Sequence, residues 1–503
     1  MDHKSIKVRF LTSLTGNGTA SVLNFLSGVM MARALGPDSF GDITFLLASF
    51  LALRALLDPG VTSAYFTFIS KQPESRRLHL VLAFWFTAAT ALVCAAVLLL
   101  PARILNGMWL GQPKNFIILA FLGTMTRQVL WQLIGQAGES ARNTLWVQMT
   151  NVCASFIYVA GIAGLWLAGY ADVQSLLLFT FAQYAIMSVW ALWLLRRKLT
   201  FVFNGTKPPY SEVISRYAAY CKPLAALAVL AFLYDFLDRW FLQKFAGSVQ
   251  QGFFQVALQF SMVSLLAVRS MLNIFWKEIA QAHNDNTRIG HLFNRTTKML
   301  VFISAAASGM CIPWSREITL LFFGQNYANA WPIMALMFIY PIYQSAGQIV
   351  AVTFNACENN TRYTKISLFM MGAGIITSYL FLAPATRGGL GMGAAGLAVK
   401  IILVSIISVN AQIFILTKLH SFKFDWKHQA LCILTFTSLG YLVKIPFGHT
   451  PSTKTELLLM MAVYGAVFST LAALLCWRKP ELAGSSRAEL ERGRNKLRSL
   501  IRG

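Results

Sequence analysis

Charge is scarce in this sequence. Charged residues make up only 12% of its 503 residues, and hydrophobic residues make up 56%, whereas about 25% of the residues of an ordinary soluble protein are charged. This composition excludes a soluble enzyme of two or three domains. It also excludes an intrinsically disordered chain, which requires low hydrophobicity and high charge.

Acidic residues are scarcer than basic ones. There are 19 Asp and Glu against 43 Lys and Arg, which gives a formal net charge of +24. A soluble protein with this excess suggests a nucleic-acid partner, but the high apolar fraction argues against one here. The long apolar runs instead predict an all-α integral membrane protein of about 14 transmembrane helices, since one crossing needs about 20 mostly apolar residues.

The cations are distributed unevenly between the loops of this predicted topology. With the N-terminus inside, most of the 43 Lys and Arg residues fall in cytoplasmic segments, as the positive-inside rule requires. The polar start of the chain has no signal-peptide cleavage site. We therefore expect a multi-pass protein with both termini in the cytoplasm.

The motifs of catalysis are also missing. The seven cysteines lie singly, mostly in apolar runs, so we expect small buried hydrophobic residues and neither a disulfide framework nor a zinc site. No Walker A motif and no nucleophile–base set is present. The loops between the predicted spans are too short to house a polymerase or glycosyltransferase domain. The sequence thus predicts a protein that is not an enzyme and binds no metal or cofactor.

Two stretches recur in the same order. Residues 36–41 and 247–252 both read Gly-x4-Gly at an offset of 211, and residues 137–144 parallel residues 356–364. Glycine-rich loops are common between helices, so each match alone is weak, but together they favour an internal repeat. The predicted domains are a six-helix bundle at 1–210, a second six-helix bundle at 211–420, two additional transmembrane helices at 421–477 and a basic cytoplasmic tail at 478–503. Bundles repeated in this way are typical of carriers, whose substrate binds in a central cavity between the halves.

Four segments carry a family resemblance. They are Ala32–Gly41 after the first span, Leu57–Ala64 after the second, Asp238–Leu242 in the seventh, and Phe322–Ala330 before the tenth. In residue type and spacing they resemble the Wzx-type lipid-linked oligosaccharide flippases of the polysaccharide transporter family. The superfamily of these flippases also contains multidrug antiporters and the peptidoglycan lipid flippases.

The resemblance implies a function. Such a flippase moves undecaprenyl-diphosphate-linked oligosaccharide units across the bacterial inner membrane by alternating access, for lipopolysaccharide or exopolysaccharide synthesis. Its partners would be this substrate and membrane lipids, with a polysaccharide polymerase and a chain-length regulator as candidates, and no nucleic acid. Two alternatives are a cation-coupled multidrug or small-solute antiporter of the same superfamily and a membrane-embedded polymerase or glycosyltransferase, which the short loops disfavour.

Four cations lie inside predicted spans: Arg54, Arg127, Arg269 and Lys400. A cation that faces lipid is costly, so these side chains should face the protein interior. We interpret them as candidate contacts for a diphosphate. The alternative is local pairing, and it is strongest for Arg54, because Asp58 lies four residues further on the same helical face.

Amide and hydroxyl side chains form stripes along several predicted spans. Such groups suit sugar binding, and the alternative is hydrogen bonding between helices. The candidate sugar ligands are Asn17, Gln128, Gln132, Gln344 and Gln348. The stripes that contain or accompany them are Ser13, Asn17 and Asn24; Thr124, Gln128, Gln132 and Gln136; Gln148, Asn151, Ser155 and Tyr158; and Tyr340, Gln344 and Gln348.

Two carboxylates lie in the predicted seventh span. Asp235 and Asp238 have too few cations nearby to neutralise both. One of them is therefore a candidate to titrate or to hold Na⁺ and so couple transport to an ion gradient. The alternative is a structural network with Tyr234 and Arg239.

Overall fold

A computed structural model describes residues 3–71, 76–140, 143–198, 209–263, 285–448 and 453–484, with isolated residues between 264 and 284. These ranges are helical and contain no strand. The chain is apolar over long runs, and a helix satisfies every backbone hydrogen bond within one segment, as a bilayer requires. The helices are α1 His3–Leu57, α2 Val61–Lys71, α3 Arg76–Leu99, α4 Ala102–Trp109, α5 Lys114–Thr124, α6 Trp131–Ser140, α7 Thr144–Leu167, α8 Val173–Lys198, α9 Tyr210–Cys221, α10 Ala225–Val263, α11 Asn286–Cys311, α12 Ser315–Phe323, α13 Trp331–Met337, α14 Tyr340–Ala356, α15 Asn360–Leu382, α16 Gly393–Leu419, α17 Trp426–Lys444 and α18 Lys454–Arg478.

The number of membrane spans differs from the expected number. In the described part of the chain, 10 helical segments are long and apolar enough to cross a membrane, or 12 if each of two bent helix pairs is one span. The bent pairs are Tyr210–Cys221 with Ala225–Val263, and Gln325–Met337 with Tyr340–Ala356. The protein is therefore a multi-pass helical membrane protein, and the count of 14 is not confirmed.

The difference arises in two helices that are longer than one crossing. The sequence predicts a connection between the first and second spans, and within α1 this connection is one non-helical residue, Gly36, where φ is 73° and ψ is 172°. Helix α10 has the same kind of break at Gly247, where φ is 83° and ψ is 176°. Glycine adopts this positive-φ backbone without steric cost. Each long helix therefore turns within a single residue.

The chain divides into two compact units. Unit 1 consists of Met1–Gln255 and Met371–Ala394, and unit 2 consists of Val256–Met370 and Ala395–Gly503. These bounds differ from the expected halves at 1–210 and 211–420. The repeat boundaries and the central cavity between the halves stay predictions. Most of the expected basic tail, residues 485–503, lies outside the described residues.

Unit 1 is built around α1. This helix packs against α5, α7 and α8, and α5 also packs against α8. The buried side chains between them include Phe45, Phe50, Phe121 and Ile162. The polar site described below lies within this helix group.

Unit 2 is built around α11, which packs against α14 and α17. A Cβ at Gly440 of α17 would overlap the backbone carbonyl oxygen of Gly309 in α11. Small residues at such a crossing allow membrane helices to approach closely. The helices that follow residue 421 are thus packed into unit 2.

The cysteines depart from the expectation that they are buried. All seven are free thiols, but only Cys432 is buried, and Cys153 is exposed on α7. The surface of a membrane protein is itself apolar, so a small hydrophobic residue is tolerated there. An apolar run therefore does not distinguish core from surface in this chain.

Candidate functional site

Arg127 lies at the centre of a polar and aromatic cluster in unit 1. Its Nη2 donates a hydrogen bond to Asn24 Oδ1 at 2.8 Å. Its guanidinium carbon lies 4.5 Å from the ring centre of Tyr158 and 5.2 Å from that of Tyr184, which are distances for cation–π contact. No salt bridge to Arg127 is found in the described part of the chain. The cation is therefore held by neutral groups.

The partners of Arg127 are fixed by neighbouring helices. Asn24 Nδ2 donates to Ser155 Oγ at 3.2 Å and to the Ala20 carbonyl oxygen at 2.8 Å. The Tyr158 hydroxyl lies 3.0 Å from Thr180 Oγ1. These bonds hold the amide oxygen toward the arginine, so α1, α7 and α8 together position one charge.

Arg127 lies in an irregular helical turn. Residues Met125–Leu130 form a π-helical segment between α5 and α6. Such a segment inserts a residue into a helix and changes the direction of the side chains beyond it, and π-helical turns are frequent at functional sites. Arg127 and Gln128 are in this segment, and Gln132 is in the first turn of α6.

A second cation approaches the same helix. Arg54 Nη2 donates to Gln132 Oε1 at 3.1 Å, and Gln132 Nε2 donates to Gln128 Oε1 at 3.3 Å. The Asp58 carboxylate accepts bonds from the backbone and side chain of Thr62 at the start of α2. The structure thus brings together Arg54, Gln128 and Gln132, three of the candidate ligands.

A polar cavity of about 230 Å³ lies beside these residues, between α1, α6 and α7. Asn17 and Gln132, two candidate sugar ligands, line it. Trp131 lines it as well, and its ring lies 6.0 Å from that of Tyr184. The contact between Trp131 and Tyr184 therefore links the wall of this cavity to the Arg127 cluster.

A larger apolar cavity of about 680 Å³ lies on the other side of α6. Its lining comes from α2, α3, α5, the π-helical segment, α6 and α8, and its few polar groups include Thr87, Thr90 and Thr126. Ile134 lines both cavities. Helix α6 thus separates a polar space from an apolar one.

Of the remaining candidate ligands, those that the structure describes do not lie at the Arg127 cluster of unit 1. Lys400 on α16 is completely buried in unit 2, and Gln344 and Gln348 on α14 are half-buried in the same unit. Gln348 Oε1 has no hydrogen-bond partner in the described part of the chain. Arg269 lies outside the described residues. The role of all four in substrate binding stays a prediction.

The two acidic candidates lie on α10 in unit 1. Asp235 is exposed, whereas Asp238 is buried and accepts a hydrogen bond from Ser378 Oγ. Arg239 Nη2 donates to Gln255 Oε1 at 3.1 Å. Among the described residues, no group of three or more His, Cys, Asp or Glu could hold a metal ion.

Sequence reasoning missed several residues at this site. Tyr184 contacts Arg127, and Trp131 and Trp146 line the polar cavity. Glu139, noted only as part of the repeat, lines the same cavity. Each tryptophan lies within two residues of a glutamine of the polar stripes, and this proximity in sequence could have marked it as a cavity residue. Tyr184 comes from another helix, and nothing near it in the sequence indicates its contact with Arg127.

These features define a class: a multi-pass helical membrane transporter with a cationic and amide-rich polar site. The family model described as polysaccharide biosynthesis protein matches residues 30–332. The chain belongs to this family. ExoT of Rhizobium meliloti (strain 1021), a succinoglycan biosynthesis transport protein, is 20% identical over 482 residues, which cover 90% of this chain and 89% of ExoT. The expected membership of the polysaccharide transporter family is confirmed.

Solved structures share the fold. The lipid II flippase MurJ in an inward closed conformation superposes with a TM-score of 0.68 at 13% identity, over 92% of this chain and 98% of MurJ. A multidrug resistance MATE transporter of the MOP superfamily, in an inward-facing conformation, gives 0.62 at 14% identity, over 80% and 96%. The similar proteins named here are transporters and flippases, in agreement with the prediction that this chain is not an enzyme.

Proposed function

We propose that this protein is a flippase for lipid-linked oligosaccharides, which carries undecaprenyl-diphosphate-linked repeat units across the bacterial inner membrane for surface or exopolysaccharide synthesis. Both termini would lie in the cytoplasm, and transport would proceed by alternating access. A polysaccharide polymerase and a chain-length regulator are proposed as neighbours of the protein in the pathway. The family membership and the ExoT and MurJ similarities support this function.

The environment of Arg127 is the observation that carries the proposal. A guanidinium stays charged at any physiological pH, and an intramembrane cation is costly unless it faces polar groups or a ligand. Asn24, Tyr158 and Tyr184 orient this cation without neutralising it. A diphosphate would supply the missing negative charge through charge-assisted hydrogen bonds. Arg54, which donates a hydrogen bond to Gln132 on the helix that follows the Arg127 segment, would add a second positive group.

The antiporter alternative is less well supported. The MATE transporter shares the fold at 14% identity. This low identity does not indicate that the two proteins share a substrate. A cationic drug bound near Arg127 would meet a like charge, which disfavours its binding in a low-dielectric site. The site therefore favours an anionic headgroup.

Ion coupling through Asp235 or Asp238 is part of the proposal. The burial of Asp238 and its bond from Ser378 favour it over Asp235 as the coupling group. Removing the negative charge in Asp238→Asn should abolish the dependence of transport on the ion gradient. Retained dependence in that variant, with loss in Asp235→Asn, would assign coupling to Asp235.

Deleting the gene tests the function in the cell. We expect lipid-linked oligosaccharide to accumulate in the cytoplasmic leaflet of the deletion strain and the polymer to disappear. The leaflet is assigned by protection of the sugar from a periplasmic labelling enzyme. Normal polymer together with altered dye efflux would contradict the proposal and favour the antiporter.

A further inference from the structure

The polar cavity between α1, α6 and α7 is smaller than the pocket of a drug-sized ligand, which is about 300–1,000 Å³. Its volume is about 230 Å³. Water occupies about 30 Å³ per molecule in the liquid, so the space exceeds what a few buried waters need. It matches a single monosaccharide ring better than an oligosaccharide.

The wall of this cavity contains amide oxygens that accept no hydrogen bond from the residues that the structure describes. Gln148 is only 3% exposed, and it is held by a bond from its Nε2 to Glu139 Oε1 at 3.5 Å. Its Oε1 and that of Gln136 are buried and have no hydrogen-bond partner within the described ranges. Both residues line the cavity. A buried acceptor without a partner is uncommon in folded proteins, and ligand hydroxyl groups would satisfy both.

Two indole rings complete the lining. Trp131 and Trp146 line the cavity, and Trp131 Nε1 donates to Asn151 Oδ1 at 3.3 Å. This bond fixes the ring in the wall. An indole offers a rigid apolar face with little loss of conformational entropy, and the apolar face of a sugar ring packs on such a surface while amides bind its hydroxyl rim.

The charges near the cavity select the kind of sugar. Glu139 is the only charged side chain among the described residues that line it, and its carboxylate would repel an acidic sugar. Arg54 donates a hydrogen bond to Gln132, which lies earlier on the same helix α6 as Glu139, and so brings a cation to the start of this wall. Together these charges favour a neutral ring attached directly to an anionic group.

We infer that this cavity binds one neutral sugar ring, the one attached directly to the diphosphate of the lipid-linked substrate. The inference rests on the proposed function and deepens it. The amides of Gln136, Gln148 and Asn151 bind the hydroxyl groups, and Trp131 and Trp146 pack on the ring. The diphosphate then lies toward Arg54.

Two matched pairs of variants test the inference. Gln148→Met removes one of the amides that line the cavity, and Gln183→Met removes a buried amide of α8 that bonds to the Ala154 carbonyl oxygen outside the cavity. A Cβ at Gly16 would lie 2.6 Å from Gln148 Oε1, whereas one at Gly18 meets nothing within 4 Å. Gly16→Ala therefore displaces the amide without deleting it, and Gly18→Ala is its control.

The full chain in lipid nanodiscs is titrated with two probes, a polyprenyl diphosphate bearing one neutral hexose and the same lipid diphosphate without sugar. We expect Gln148→Met and Gly16→Ala to weaken binding of the hexose probe about tenfold and to leave binding of the bare lipid within about twofold. Both controls should bind both probes like the wild type, and all variants should elute as monodisperse protein.

Four results would contradict the inference. Equal weakening for both probes would show that the substitutions disturb the protein generally and not a sugar contact. Unchanged binding in both variants would show that Gln148 does not contact the sugar. A wild type that binds the two probes equally would remove the sugar site and leave the proposed function intact. A wild type that binds neither probe would overturn the proposed function and this inference with it.

Discussion

Gly41 lies directly against the backbone carbonyl oxygen of Ser248, and Gly252 lies in the same way against that of Pro37. A Cβ at either glycine would overlap the carbonyl that it faces. The two contacts are related by the same offset of 211 residues, as are the breaks at Gly36 and Gly247. This reciprocal packing supports the proposal that α1 and α10 descend from one duplicated element.

The close approach of these two helix segments predicts that a side chain added at either glycine destabilises the protein. Gly41→Ala and Gly252→Ala should each lower the free energy of unfolding by about 1–3 kcal/mol, since a methyl group forced against a backbone carbonyl displaces both helices. Thermal unfolding in detergent measures the loss. Gly164→Ala in α7, where a Cβ meets nothing within 4 Å, is the matched control. Equal stability of all three variants would show that the two helix segments are not in contact.

Asp42 of α1 links the same helix segments through one carboxylate oxygen. Its Oδ1 accepts bonds from Gln112 Nε2 at 2.7 Å, Gln243 Nε2 at 3.0 Å and Ser248 Oγ at 2.7 Å. Asp42→Leu leaves these donors without that acceptor and should cost about 3 kcal/mol or more of stability. The exposed Asp38 in the same segment of α1 is the control, because Asp38→Leu should change thermal stability little. Comparable losses in both variants would contradict the network's role.

The last two helices are expected to depend on a partly buried ion pair. Lys444 Nζ lies 2.7 Å from Glu317 Oε1 and 2.6 Å from the Pro313 carbonyl oxygen. Lys444→Met should destabilise the protein by about 1–3 kcal/mol, because it leaves the carboxylate without its cation. A double-mutant cycle with Glu317→Gln measures the coupling. Strict additivity of the two substitutions would mean that the pair contributes nothing.

His420 predicts a pH dependence of stability. The side chain is 8% exposed, its Nδ1 lies 2.7 Å from Asn286 Oδ1, and burial lowers the pKa of the imidazole below 6.5. Below pH 6.5 the unfolded chain takes up a proton that the folded state binds less readily. The contribution of His420 to stability is therefore fully present above pH 6.5. It is lost as the pH is lowered from there toward the folded-state pKa.

Thermal unfolding of variants isolates this contribution. Lowering the pH from about 7.5 to about 5.5 brackets the ordinary histidine pKa, and it should destabilise the wild type more than His420→Gln. The exposed His291 is the control, because His291→Gln should follow the wild type. The same pH dependence in the His420 variant and the wild type would contradict the assignment.

The sequence predicted the class of fold because that information is local. An apolar run long enough to cross a bilayer defines a span, and the fourfold spacing of Gln128, Gln132 and Gln136 marks one face of a helix. Two of these three residues line the polar cavity. The connection expected near Gly36 is a single glycine with a non-helical backbone between two helical stretches.

The partners of each charge could not be predicted in this way. The sequence offers Asp58, on the same helix, as a partner for Arg54, but Arg54 donates its hydrogen bond to Gln132 on α6. Arg127 meets Asn24 from α1 and Tyr184 from α8. Such contacts depend on tertiary packing and on the π-helical turn. The spacing of polar residues along one helix specifies neither of them.

The central claim is that Arg127 binds the diphosphate during transport. Its direct test is the movement of a fluorescent polyprenyl-diphosphate oligosaccharide between leaflets of reconstituted vesicles, compared for wild type, Arg127→Lys and Arg127→Gln. Lysine keeps the charge but loses the planar contact with the tyrosine rings. We expect transport to fall about tenfold or more in Arg127→Gln and by less in Arg127→Lys, with reconstitution efficiency unchanged. Wild-type transport by Arg127→Gln would contradict the account.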